Sequence, residues 1–389
     1  MAVLARVPLK NLFYAGDREI PRKLNIPGGN RLVAILGLGA GTVALPLNLG
    51  YFCGDRLVFA INPTNNKNLP ISSPVMTFFQ LDQKLRDTCD RLIDIACSQY
   101  RLTPKQIAIA LLVYDAESII DCAAEDKSNF WHRRIRGYSH RGIELVYPAS
   151  VIKLFYMVAL HEWLDKGMLT LTSETERALR DMIVDSSNDA TALIVDVLSG
   201  TTGGPELSPG PFATWQYQRQ IVNRYFSNLG VPEYGLINVC QKTWCDGPYG
   251  RERDFYGENM ENRNMLTTEA TARLLHSIIG GVAISRDRSA QMRSLLYRSI
   301  KPQDLASDPY NQVTGFLGGG LPENARLWSK AGLTSKVRHD AAYVEMPGCP
   351  AFMLVVFTEG DPHNQEILPF FSSNVVAELT GIAPRQGKV

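Results

Sequence analysis

The stretch AAYVEMPGCPAFMLVVFTE, residues 341–359, decides the architecture. Its two apolar runs, AAYVEM (341–346) and AFMLVVFTE (351–359), flank Pro347-Gly348, a dipeptide that turns the chain and makes the runs a hairpin. Working outward, the other clear strand candidate lies far upstream, at IAIALLVYD (107–115). Between these strands the pattern is mostly helical. It runs from Ser150 to about Gly230, is broken by SGTTGGPELSPGPF (199–212), becomes polar and loop-like over 231–266, and resumes with TTEATARLLHSIIG (267–280). Outside the strands, Leu81, Leu85, Cys89, Leu92, Ile93 and Ala96 mark a helix over about 78–99, and a last helix occupies about 366–380. Strands at both ends with helices between them predict an α+β fold: one antiparallel sheet, packed by the first and last helices, with an inserted all-helical subdomain.

Composition narrows the function classes. The 389 residues carry 40 Lys+Arg against 39 Asp+Glu, a net charge of +1 that provides no overall field for nucleic acid. Seven cysteines are too few for a disulfide scaffold and, being odd in number, cannot all pair. Cys240 and Cys245 lie close, but no second pair stands at zinc spacing, so no metal or other cofactor is expected.

The N-terminal region reads differently from the rest. Residues 1–31 form a basic tail, with Arg6, Lys10, Arg18, Arg22, Lys23 and Arg31 against Asp17 and Glu19. Residues 32–54, LVAILGLGAGTVALPLNLGYFCG, contain no charge and resemble a signal-anchor or signal-peptide segment, with a buried helix or Gly-rich loop as the alternative. Residues 55–76, rich in Asn, Pro and Ser, read as a linker to a catalytic domain over 77–385. This order predicts an exported or membrane-anchored protein.

No G-x-S-x-G elbow, H-E-x-x-H, Walker A or Rossmann G-x-G-x-x-G is present, and none of the six histidines has an obvious serine partner. Ser150-Val-Ile-Lys153 stands out, because Ser150 is the one serine with lysine three residues later. On the helix PASVIKLFYMVALHEW, positions i and i+3 share a face, so the amine reaches the hydroxyl, and burial lowers its pKa toward that of a base. A helix cap followed by a snorkelling lysine would produce the same spelling. Two partners come after it in order. Ser186-Ser187-Asn188 sits between two helical segments and supplies a hydroxyl and an amide. Trp328-Ser329-Lys330-Ala331-Gly332 precedes the hairpin; a strand there presents Lys330 beside the site, with Gly332 leaving room for a substrate backbone along the edge. A second S-x-N, Ser372-Ser373-Asn374, falls inside the last helix and is read as coincidence.

Ser-x-x-Lys, Ser-x-Asn and Lys-x-Gly, in that order, resemble the penicillin-recognising serine hydrolases, and class A β-lactamases most of all. NRNMLTTEATARLL (262–275) is similar to the helix after that family's omega loop, and SKAGLTSKVRHDAAYVEMPG (329–348) to its substrate-edge strand and turn. The resemblance implies a nucleophile at Ser150, its base at Lys153 and a proton shuttle at Ser186. It implies substrate contacts from Asn188, Lys330, Gly332 and Arg338. It also places a deacylating glutamate near Glu252, with Glu258 and Glu261 as neighbours. The implied substrate is a small molecule, a β-lactam or a D-alanyl peptide. Three features depart from the family pattern: Ser187 where aspartate is usual, Ala331 where Thr or Ser is usual (Thr334 or Ser335 could compensate), and a short 150–186 stretch with an insert at 199–212 after it. Ser187 and Ala331 favour a D-alanyl-D-alanine carboxypeptidase or small-ester hydrolase, Glu252 favours a β-lactamase, and the intact Ser150/Lys153 pair disfavours a non-catalytic cell-wall-peptide-binding module.

Overall fold

The computed structural model describes residues 3–6, 51–53, 56–61, 78–122 and 127–382. Val3–Arg6, Tyr51–Cys53 and Arg56–Ile61 form a small antiparallel sheet with Arg56–Ile61 in its centre. Part of the stretch read as a linker is therefore extended and paired. Most of the neutral run at 32–54 lies outside the described residues. Among the described residues, no helix is long and apolar enough to cross a membrane.

The residues from Val75 onward form a separate compact unit. Its sheet has seven strands: β1 (Gln80–Leu81), β2 (Ile107–Val113), β3 (Arg136–His140), β4 (Tyr297–Arg298), β5 (Arg326–Leu333), β6 (Val337–Met346) and β7 (Cys349–Glu359), in the order β1-β3-β2-β7-β6-β5-β4. Every pairing is antiparallel except β1 with β3, so the sheet is mixed at one edge where the sequence predicts a purely antiparallel one. The predicted hairpin is present. Cys349 pairs with Met346 across Pro347-Gly348, and Gly348 has φ +70°, a left-handed value that favours glycine.

All seven residues of β2 are buried because both faces of the sheet are covered. Ala108, Ala110 and Leu112, with Met353, Val355 and Phe357 of β7, face the core shared with the helical layer. Ile107, Ile109, Leu111 and Val113, with Phe352, Leu354 and Val356, face the opposite core, under α1 (Gln83–Tyr100) and the final helix Ile367–Thr380. This period-2 division is the strand pleat expressed as two layers. Helix α2 (Lys127–His132) precedes β3 in the chain, and the inserted helices include α3 (Lys153–Asp165), α4 (Ser173–Ile183), α5 (Asn188–Ser199), α6 (Pro209–Arg219), α7 (Ile221–Asn228), α8 (Arg251–Tyr256) and α9 (Thr268–Gly280). In α3 the residues from Lys153 to His161 are all buried, as expected of a helix apolar on every side.

Candidate active site

Ser150 does not lie on α3. It sits in the short 3-10 turn Ala149–Ile152 that feeds the helix, and Lys153 is the first helical residue. Ala149, immediately before it, has φ +47°, and Ser186 has φ +57°. A left-handed backbone is unfavourable for a residue with a Cβ and persists where surrounding packing imposes it. Here both such residues belong to turns that face one cavity.

That cavity has a volume of about 340 Å³, and Ser150, Ser186, Asn188, Gly332 and Arg338 are among its lining residues. The 309–316 segment, including Tyr310, Gln312 and Phe316, also lines it. Among the described residues no Asp or Glu lines it.

Gly332 explains how the sheet and the serine turn meet. A Cβ there would lie 2.8 Å from the Pro148 carbonyl oxygen and 3.2 Å from the Ser150 amide nitrogen. Gly332 lines the cavity, and the structure adds a closer reason for glycine there: only glycine lets β5 approach the turn that carries Ser150.

Beneath the cavity lie two amines with no exposed surface, Lys153 and Lys330. Lys153 Nζ donates to the Ser186 carbonyl at 2.5 Å, to Ser186 Oγ at 3.3 Å and to Asn188 Oδ1 at 3.0 Å. These acceptors, rather than the Ser150 hydroxyl predicted from the i, i+3 spacing, hold the amine, because a buried ammonium must satisfy its donors and the 186–188 turn offers three acceptors. Lys330 Nζ donates to Ser186 Oγ at 2.9 Å, to Gln312 Oε1 and to the Ala331 carbonyl at 2.9 Å. Ser186 Oγ therefore lies between the two amines. Burial lowers the Lys153 amine to about 7, against an opposing pull from Cys245. Burial, with Lys153 and Arg298 as like charges, holds Lys330 well below the ordinary lysine value.

The remaining motif residues have clear local duties. Ser187, at the usual aspartate position, caps α5, its Oγ accepting from the Ala190 amide at 3.1 Å. Asn188 donates from Nδ2 to Cys245 Sγ at 3.4 Å, which leaves Oδ1 facing Lys153. Arg338 borders the cavity, but its guanidinium is tethered by donation to the Pro362 carbonyl at 2.7 Å and the Gly315 carbonyl at 3.0 Å, and it stacks on Phe316. Ser372 and Asn374 donate to the Leu317 and Phe370 carbonyls, as fits a helix in the core rather than a site.

Glu252 departs most from expectation. It is buried on the short helix Arg251–Tyr256, and its Oε1 accepts from Arg219 at 2.7 Å and lies 3.3 Å from Lys242 Nζ. Asp196 completes the group, contacting Arg219 at 3.0 Å and Lys242 at 2.7 Å. Burial pushes the Glu252 carboxyl up, against the pull of Arg219 and Lys242. The residue is absent from the cavity lining. Counting residues back from Thr267 gave position along the chain but not direction in space. Glu258 and Glu261 are not in the lining either; Glu261 bonds Asn259. Gln312 and Cys245 touch the site although no sequence motif marks them, because both sit in polar loop segments without a periodic signal.

Known proteins share this outline. The sequence model of the beta-lactamase enzyme family matches residues 172–374, more than half of the chain. No curated protein matches. A solved β-lactamase from Sphaerobacter thermophilus is similar in fold, with 17% identity and a TM-score of 0.50 over 77% of this chain and 99% of its own. A variant of PBP-A, solved as an acyl-enzyme complex with penicillin G, is similar to the same degree: 17% identity, TM-score 0.50, 76% of this chain and 96% of its own.

Proposed function

Because the chain belongs to the beta-lactamase enzyme family, we propose that Ser150 is the residue acylated when this β-lactamase-like serine hydrolase opens an amide. One observation carries the assignment. Lys153, Ser186 and Lys330 form a continuous buried chain of amine, hydroxyl and amine under a cavity that Ser150 lines. With its amine lowered to about 7, Lys153 is partly neutral at neutral pH and suited to take the proton of an attacking hydroxyl. Ser186, bonded to both amines, is suited to pass that proton to the leaving nitrogen. Lys330 supplies positive charge for a substrate carboxylate, and Asn188 an amide at the cavity wall. Incubation with a penicillin should add the intact mass of the drug to the peptide containing Ser150, and Ser150→Ala should remove the adduct. Labelling that survives the substitution would overturn the assignment.

A second reading concerns the fate of the acyl-enzyme. No carboxylate lines the cavity among the described residues, and Glu252 is engaged by Arg219 and Lys242. Hydrolysis of an acyl-enzyme requires a base for the attacking water. This favours slow release of β-lactams and a D-alanyl-D-alanine carboxypeptidase-type substrate. A chromogenic cephalosporin should then give a burst close to one equivalent, whereas sustained fast turnover would exclude this reading. The charge step before Leu32 supports placement of the catalytic unit outside the cytoplasmic membrane. A reporter fused after residue 76 that worked only in the cytoplasm would reject that placement.

A further inference from the structure

Gln312 reaches the cavity on the 309–316 segment and is almost fully buried. Every polar position of its amide is used. Oε1 accepts from Lys330 Nζ and from the Ala331 amide at 3.3 Å, and Nε2 donates to the Ile183 carbonyl at 3.2 Å and the Val184 carbonyl at 2.7 Å. Ile183 and Val184 close α4 just before the Ser186 turn, whereas Lys330 and Ala331 belong to β5. One side chain thus ties the helical half of the site to the sheet half, at the lysine. Its orientation is determined by its partners. A flipped amide would turn the NH2 toward an ammonium and an N–H, and its oxygen toward two carbonyls.

The chemical type of this acceptor matters. Lys330 faces Ser186 Oγ, Gln312 Oε1 and the Ala331 carbonyl, all of them neutral. Lys153 and Arg298 add like charge nearby, and Asp340 is the carboxylate that acts on it. Asp340 is fully buried; its Oδ2 accepts from the Leu317 amide at 3.1 Å, and its Oδ1 has no partner. No hydrogen bond joins it to Lys330 among the described residues.

We propose that Gln312 is a specificity-determining positioning residue. It holds Lys330 in place through a neutral carbonyl, so that the amine has no anionic hydrogen-bond partner until the carboxylate of an incoming substrate supplies one. This rests on the reading of Ser150 as the acylated serine and of Lys330 as the carboxylate contact. A glutamate of the same length in this place would form an internal ion pair with Lys330 and compete with the substrate.

The test compares a chromogenic cephalosporin that carries its ring carboxylate with the methyl ester of the same compound. For each, kcat/KM and the separate kcat and KM (or acylation rate and affinity, if the acyl-enzyme is stable) are measured in the parent, Gln312→Glu and Gln312→Met. Gln312→Glu should lower kcat/KM for the carboxylate substrate by roughly tenfold or more, mainly through KM, because close charge pairs couple at this scale. The ester should change by about twofold at most. Gln312→Met, which is neutral but accepts no bond from an ammonium, should lower the carboxylate-to-ester ratio in the same direction by a smaller factor. It keeps the test decisive if the glutamate variant does not fold. An unchanged ratio in a folded variant, or an equal loss for both substrates, would overturn the proposal. If the parent itself neither labels at Ser150 nor turns over, the underlying reading fails and the role of Gln312 with it; a labelled parent with an unchanged ratio removes the role of Gln312 alone.

Discussion

Two of the buried charged groups in this domain are built on opposite principles. Around Glu252, two cations (Arg219 and Lys242) meet two carboxylates (Glu252 and Asp196), and every charge has a close partner of the other sign. Under the cavity, two amines (Lys153 and Lys330) meet neutral oxygens, and no carboxylate bonds either of them among the described residues. Burial of an uncompensated cation is costly and drives the amine toward its neutral form. A compensated cluster gives packing and fixed geometry. An uncompensated one holds a base and an unfilled demand for negative charge, which is what an acylating site for anionic substrates requires.

The contrast breaks most sharply at Lys153. Lys153→Met should slow acylation of Ser150 by roughly 10² or more, as expected for losing a general base, while thermal stability stays near that of the parent, because relief of an uncompensated buried charge is offset by three acceptors that lose Lys153 as donor. In the parent, acylation should rise with pH around about 7, since an amine lowered to that value is protonated and inactive below it and free above it. A rate independent of pH between 5.5 and 8.5 (roughly three units around the lysine value) would remove Lys153 as the base.

Glu252→Gln should do the reverse, destabilising the fold by about 3–5 kcal/mol because it leaves buried Arg219 short of compensation, with Ser150 labelling near the parent rate at temperatures where the variant is folded. If the variant keeps its melting temperature and instead accumulates acyl-enzyme that the parent clears, Glu252 reaches the cavity and the two clusters are not separate.

Gly332→Ala probes the seam between the sheet and the serine turn. The added methyl meets backbone at 2.8 Å and 3.2 Å, so a cost of about 1–3 kcal/mol in denaturant unfolding is expected, together with slower acylation. The smallest effect belongs to Ser187→Ala, which removes the α5 cap and should cost about 1 kcal/mol. Ser187→Asp should restore the cap and leave the stability near that of the parent.

How much of this was legible in the chain differs between its parts. The hairpin at 341–359, the strand at 107–113, the helices at 268–280 and 367–380 and the order of the three motifs were readable, because each rests on local chemistry: alternation, a turn dipeptide, a cap, a spacing. The short strands β1 and β4 carried no signal, since two residues are too few for a period. Gln312 gave none either; a glutamine in a polar loop looks like any other until its four partners arrive from two distant elements.

The amino-acid sequence by itself determined which residues could do chemistry and in what order they occur, because side-chain identity and helical spacing are local properties. Only the tertiary structure decided which of them face one another. It turned Lys153 toward Ser186 and Asn188, pressed Gly332 against the turn of Ser150 and drew Glu252 to Arg219 and Lys242. The physical reason is that a buried charge must find partners in three dimensions. Distance along the chain does not fix which partners the packing of helices on a sheet brings within hydrogen-bonding reach.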